Sequence, residues 1–236
     1  MAGSGGGEPT TPEVRCPATA RRGAYVASDV TNWTEITSEA EVREILGEVK
    51  RPALDKERAV LTEVDRAWLA ASPFCLVATA DTGGNCDVSP KGDPAGELVH
   101  VLDDTTIAIP ERPGNRRADG YRNILGNPHV GLVFVIPGRG DTLRINGRAR
   151  LVRDAPFMAE LAVEGRAPLL AMVVEIDTVF HHCSKAFLRS ELWRPETWDP
   201  DVVDSRPRIA KTLEQPETPL EELERYYGPG YAERLY

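Results

Sequence analysis

The sequence predicts a mainly β domain with peripheral helices, an α+β fold organised as a barrel. Short apolar, β-prone runs such as "FCLVATA", "TTIAIP" and "HVGLVFVI" recur through the middle of the chain. Glycine-rich reversals such as "DTGGN" and "PGRGD" follow them closely enough for antiparallel hairpins. Helical periodicity is confined to the flanks and to short insertions. About six or seven strands in this arrangement suit a closed barrel better than a doubly wound parallel sheet.

Taken in order, residues 1–30 form a Gly- and Pro-rich arm with little apolar surface to offset ordering entropy. "SEAEVREILGEV" then reads as a helix. Ser38 and Glu41 stand in capping-box spacing, and Val42, Ile45, Leu46 and Val49 share one face. "LTEVDRAWLAAS" reads as a second helix, N-capped by Thr62 and packed through Val64, Trp68 and Leu69. "FCLVATA" and "CDVSP" form a hairpin, and strands follow at "ELVHVL", "TTIAIP", "HVGLVFVI", "DTLRINGRARLV" and "LLAMVVEIDTVF". Helices interrupt them near Tyr121 and over Met158 to Glu164. The main domain spans residues 31–198, and residues 199–236 form an extension rich in Pro, Asp and Glu, with a short helix at "PLEELERYYG".

The chain has 236 residues, is 41% hydrophobic and carries a formal net charge of −9. Such a balance can bury one large core and argues against a general nucleic-acid or membrane-surface binder. No apolar run reaches the length of a bilayer span, and the opening residues lack a secretory core, so a cytoplasmic protein is expected. The four cysteines form no CxxC pair and are expected to be reduced thiols. No metal site is expected, because His181 and Cys183 have no second pair at zinc-site spacing.

Against this acidic background, "ERPGNRRADGYRNI" gathers Arg112, Arg116, Arg117 and Arg122. The loop follows a strand and precedes a helix starting near Ala118, so its backbone N–H groups and arginines form a candidate anion cradle. The same residues also read as a solvated cluster paired with Glu111 and Asp119. "DVSPKG" sets Ser89 and Lys91 on one side of an extended chain, as ligand contacts or as an ordinary polar turn. "TLRING" alternates Thr142, Arg144 and Asn146 against Leu143 and Ile145, giving that strand a polar side. In "HHCSKAFLRSELW", Lys185 and Arg189 are i,i+4 neighbours if the segment is helical from Ser184.

In this order, "DVSPKG", "PGNRRADGYRNILGNPHVGLVF" and "DTLRINGRARLV" resemble the pyridoxamine 5′-phosphate oxidase-like family of FMN-binding split β-barrels. The likeness runs from about Phe74 to Trp193. It implies a homodimer with FMN at the subunit interface and redox chemistry on a small-molecule substrate, without nucleic acid or membrane. It places Arg116 and Arg117 at the FMN phosphate, with Asn115 beside them and Asn123 near the site. Ser89, Lys91 and Thr142 approach the flavin, while Lys185, Arg189 and Trp193 reach it across the dimer. Lys91 and Arg144 are the implied catalytic residues, supplying positive charge. The substrate-phosphate signature of the true oxidases has no counterpart here: "LWRPETWDP" leads into a long acidic and Pro-rich extension, and the basic loop is longer before Asn123-Ile124, which implies a different substrate. The alternatives are a split barrel holding a deazaflavin or haem, and a flavin-binding protein without turnover.

Overall fold

The computed structural model describes residues 33–233 and 235–236. They fall into two compact units. One comprises residues 33–47 with Asp199–Arg225, and the other Glu48–Trp198 with Tyr226–Tyr236.

In the first unit, α1 (Glu39–Leu46) is capped by Ser38, whose hydroxyl accepts from the Glu41 N–H at 3.2 Å. The Glu41 carboxylate reaches back one residue further than a capping box requires, to the Thr37 N–H at 3.3 Å. Gly47, at φ +78°, stops the helix, so Val49 falls outside the predicted apolar face, and Ile45 and Leu46 are exposed. The unit also contains α6 (Arg206–Leu213).

The second unit holds α2 (Arg51–Leu54), α3 (Glu63–Ala71) and a seven-stranded, wholly antiparallel sheet. The strands are β1 (Phe74–Ala80), β2 (Cys86–Gly92), β3 (His100–Val101), β4 (Thr106–Pro110), β5 (His129–Val135), β6 (Thr142–Val152) and β7 (Ala171–His182). Their order is β2-β1-β5-β6-β7-β4-β3. Alternation puts Cys75, Val77 and Thr79 of β1, Val130, Leu132 and Phe134 of β5, and Leu143, Ile145 and Ala149 of β6 inside. Ile107, Ile109, Met172, Val174 and Val179 complete the core. Burying each such side chain contributes about 2 kcal/mol.

β2 and β4 do not pair with one another, yet the end of β2 and the residues just beyond the two strands meet. Arg112 Nε lies 2.8 Å from Asp93 Oδ2, and Lys91 Nζ 2.5 Å from Glu111 Oε2. The sheet therefore curls until β2, one edge strand, and the chain just after β4, next to the other edge, are bridged by side chains rather than by backbone bonds, which makes the barrel split. α4 (Asp119–Gly126) packs against β1, β6 and β2, and α5 (Lys185–Ser190) follows β7. α7 (Leu220–Tyr226) forms where "PLEELERYYG" predicts it.

Three expectations are corrected. Only His100–Val101 of "ELVHVL" is strand. The helix expected over Met158 to Glu164 is a 3-10 segment, Pro156–Leu161, because the chain reverses immediately afterwards through the Val163–Arg166 bridge. Thr62 caps α3, and Trp68 and Leu69 are buried as expected, but Val64 is 67% exposed. The inward stripe runs through Asp65, Trp68 and Leu69, so a carboxylate takes the position assigned to an apolar side chain.

Asp65 is fully buried. Its carboxylate accepts from the Thr62 N–H at 2.8 Å, the Thr62 hydroxyl at 2.7 Å and both terminal nitrogens of Arg58, one of them at 3.0 Å. Burial alone would raise its pKa, but the Arg58 and Thr62 bonds outweigh that and hold it well below the ordinary carboxylate value. A depressed carboxylate contributes stability that is present above the unfolded pKa, near 4, and is lost as pH falls from there toward the folded pKa. Asp65→Asn is expected to cost about 3 kcal/mol at neutral pH and to flatten the acid limb of stability below about pH 4. Urea titrations of both proteins from neutral to acid pH check this, and parallel acid limbs would contradict it.

No helix among the described residues is long and apolar enough to cross a membrane. The predicted arm, residues 1–30, lies outside the described residues.

Candidate functional site

The gap between β2, the β4 end and α4 is a cleft of about 510 Å³. β2 supplies one wall through its period of two. Asp87, Ser89 and Lys91 turn inward and are half-buried, whereas Cys86, Val88 and Pro90 face out. Residues Pro110 to Tyr121 supply the other wall.

Asn123, buried on α4, fastens the two walls. Its amide donates to Thr79 Oγ1 at 3.0 Å and to Asp87 Oδ2 at 2.8 Å. At Gly120, in the first turn of α4, a Cβ would meet Thr79 Oγ1 at 3.5 Å, an ordinary contact, so the turn packs against β1 without requiring a glycine.

Two charged groups anchor the inner cleft. Lys91 Nζ donates to Glu111 Oε2 at 2.5 Å and to the Tyr121 hydroxyl at 2.9 Å, and that hydroxyl also donates to Glu111. Burial, reinforced by the Glu111 carboxylate, raises the Tyr121 pKa, so the phenol stays protonated. Behind Lys91 in the β1–β2 register sits Cys75, whose thiol burial pushes up to about 12 despite the nearby ammonium. It is therefore a packing residue, not a nucleophile. Arg112 donates to Asp93 and, at 2.8 Å, to the Leu161 carbonyl. The other Asp93 oxygen accepts from the Tyr236 hydroxyl at 2.7 Å. Burial and this carboxylate push the Tyr236 pKa up to about 12.

The outer end differs. Arg116 and Ala118 adopt left-handed backbone, at φ +60° and +57°, a conformation unfavourable for side chains with a Cβ. Asn115 Oδ1 braces the loop by accepting from the Arg117 N–H at 3.0 Å. Arg117 pairs with Asp119 at 2.7 Å, whereas Arg116 has no ion pair among the described residues. Ala118, the N-cap of α4, offers no side-chain hydrogen bond to the first helical turn. An unpaired arginine and a helix start without a side-chain cap thus line the same end of the cleft, an arrangement suited to an anion.

Of the residues singled out in the sequence, Ser89, Lys91, Asn115, Arg116 and Arg117 line this cleft, and Asn123 binds its walls together. Five others do not line it. Thr142 is buried opposite His182 at the start of β6. Arg144 lies over the Phe180 ring and bonds to Asn146 Oδ1 at 3.0 Å. Lys185 and Arg189 are one turn apart on α5, and Trp193 donates to the Arg139 carbonyl at 2.6 Å. Of the arginines in the basic segment, Arg112 is committed to Asp93 and Leu161. The solvated-cluster reading holds for Arg117, through Asp119, but not for Arg116.

Sequence reasoning paired Glu111 with the arginines, whereas its partner is Lys91, and it missed Tyr121, Asp93 and Tyr236. Tyr121 carried a usable signal, since it precedes the buried Ile124 by one helical turn and so belongs to the inward face of α4. Tyr236 carried none, lying 143 residues from its partner.

A split barrel whose open seam carries a cleft with an anion-receptive end is the class of protein defined here. The chain belongs to the pyridoxamine 5′-phosphate oxidase family, whose sequence model matches residues 61–183. No curated protein matches the chain. Among solved structures it is similar to HupZ of Group A Streptococcus, with 18% identity over 51% of this chain and 93% of that one and a TM-score of 0.42. A Lactobacillus delbrueckii protein assigned as a pyridoxamine 5′-phosphate oxidase shares 24% identity over 53% of this chain and 98% of its own, also at 0.42. General Stress Protein 26 of Bacillus anthracis shares 12% over 49% and 88%, at 0.38. The family assignment rests on the sequence match.

Proposed function

We propose that the cleft binds FMN and that the chain is an FMN-dependent oxidoreductase acting on a small molecule other than pyridoxamine 5′-phosphate. The observation that carries this reading is the unpaired Arg116 beside the uncapped start of α4, opening into a cleft in a chain of this family. The residues fit the cofactor. Arg116, Arg117 and the first N–H groups of α4 hold the phosphate, Asn115 braces the loop, and Asn123 ties α4 to β1 and β2. Ser89 and Lys91 meet the ring. Bound FMN supplies two-electron chemistry, and Lys91, its charge matched by Glu111, keeps one N–H for a group beside the ring.

Lys185, Arg189 and Trp193 lie outside the cleft of their own chain, and we assign them to the cofactor of a second copy in a homodimer, whereas Thr142, buried at the start of β6, and Arg144, held by Phe180 and Asn146, are not assigned to it. Sedimentation at dilute concentration is expected to give a dimer. A monomer that keeps its flavin and full activity would contradict that assignment. Anaerobic reduction by nicotinamide donors, followed by small acceptors such as quinones, tests turnover. Rapid oxygen-coupled oxidation of pyridoxamine 5′-phosphate would overturn the substrate reading.

A further inference from the structure

Four cations (Lys91, Arg112, Arg116, Arg117) and four carboxylates (Asp87, Asp93, Glu111, Asp119) line the cleft. Three of the cations are matched one to one: Lys91 with Glu111, Arg112 with Asp93 and Arg117 with Asp119. The unmatched one, Arg116, stands at the outer end. A phosphate placed there uses the cleft's only uncompensated positive charge among the described residues. The inner end offers no second one.

We propose that the Lys91 end of the cleft selects a substrate whose contacting group is uncharged, a carbonyl, amide or hydroxyl oxygen, and rejects carboxylates and phosphates. This rests on the FMN reading, which places the phosphate at the opposite end. An anion reaching Lys91 would have to share one ammonium with Glu111, and Glu111 cannot readily leave. Its side chain is 31% exposed, and it is held by both Lys91 and Tyr121. Two carboxylates on one part-buried ammonium leave a net negative charge in a poorly solvated place, and like-charge juxtaposition of this kind is costly. An uncharged acceptor meets no such obstacle. An ammonium has three donors, and Lys91 uses two of them, on Glu111 and Tyr121, so one remains for a neutral oxygen without any rearrangement.

The test uses an isosteric pair, 2-naphthamide and 2-naphthoate, titrated calorimetrically into FMN-loaded protein. The amide is expected to bind about tenfold more tightly than the carboxylate. Glu111→Gln frees the ammonium and is expected to reverse the order, whereas Tyr121→Phe keeps the Lys91–Glu111 pair and is expected to retain the wild-type preference. Equal or tighter binding of naphthoate to the wild-type protein, no binding of either probe, or a ratio unmoved by Glu111→Gln would each overturn the proposal. The wild-type ratio stands as a test even if a variant fails to fold. Failure to load FMN at the outset would refute the cofactor reading and this proposal with it, while loading without discrimination would refute this proposal alone.

Discussion

Replacing Arg116 and Arg117 together with alanine is expected to weaken FMN binding by about a hundredfold while leaving riboflavin binding within about threefold of the parent. Charge-assisted hydrogen bonds to a phosphate are each worth about 1.5–3 kcal/mol, and the double change removes both guanidinium donors while leaving the α4 N–H groups in place. Arg116 should account for most of the loss. It is unpaired, whereas Arg117 must be drawn from Asp119, 2.7 Å away, before it can serve a ligand. Fluorescence titrations with the two flavins separate a phosphate contact from damage to the ring site. Equal losses for FMN and riboflavin would remove these arginines from the phosphate.

Gly147→Ala is expected to be the most destabilising single methyl addition in the sheet, costing about 3 kcal/mol or more and lowering the melting temperature by about 10 °C. The register between β6 and β7 slips at this point, with Asn146 opposite Thr178 and Gly147 opposite Ile176, leaving Asp177 bulged. A Cβ on Gly147 would stand 2.1 Å from the Glu175 carbonyl oxygen, so backbone would have to move in a pair that includes the central strand, β6. Gly131→Ala is the matched control. Its Cβ would meet Asn146 Oδ1 at 3.6 Å and Ala78 Cβ at 3.9 Å, ordinary contacts that predict a loss below about 1 kcal/mol. Similar melting temperatures for the two variants would contradict the account of the bulge.

Gly147 also shows what was legible in the sequence. "NGRA" contributed to the family resemblance, but only the register explains why a glycine stands there. Strand identity was readable wherever apolar alternation was long, as in β1, β5 and β6, because each residue facing the core must alternate with one facing out. The Ser89 and Lys91 wall was readable for the same reason. Asp119 was legible as a local charge partner of Arg117, but long-range charge partners were not. Glu111 follows β4 and Lys91 lies on β2, and nothing local to either shows that the sheet curls until the two meet. Asp65 misled the helix reading because a carboxylate fully satisfied by Arg58 and Thr62 can occupy a core-facing position that periodicity assigns to an apolar residue. The β6 and α5 residues were grouped with the cleft by resemblance, whereas within one chain they lie elsewhere.

The central claim is that the open seam of this barrel is an FMN site whose phosphate is held by Arg116, Arg117 and the start of α4. Native mass spectrometry of the purified protein, before and after addition of FMN, tests it most directly. The account predicts a dimer carrying FMN at one per chain, with the flavin lost from the Arg116→Ala, Arg117→Ala double variant under the same conditions. Recovery of FAD, a deazaflavin or haem alone, with no uptake of added FMN, would contradict it.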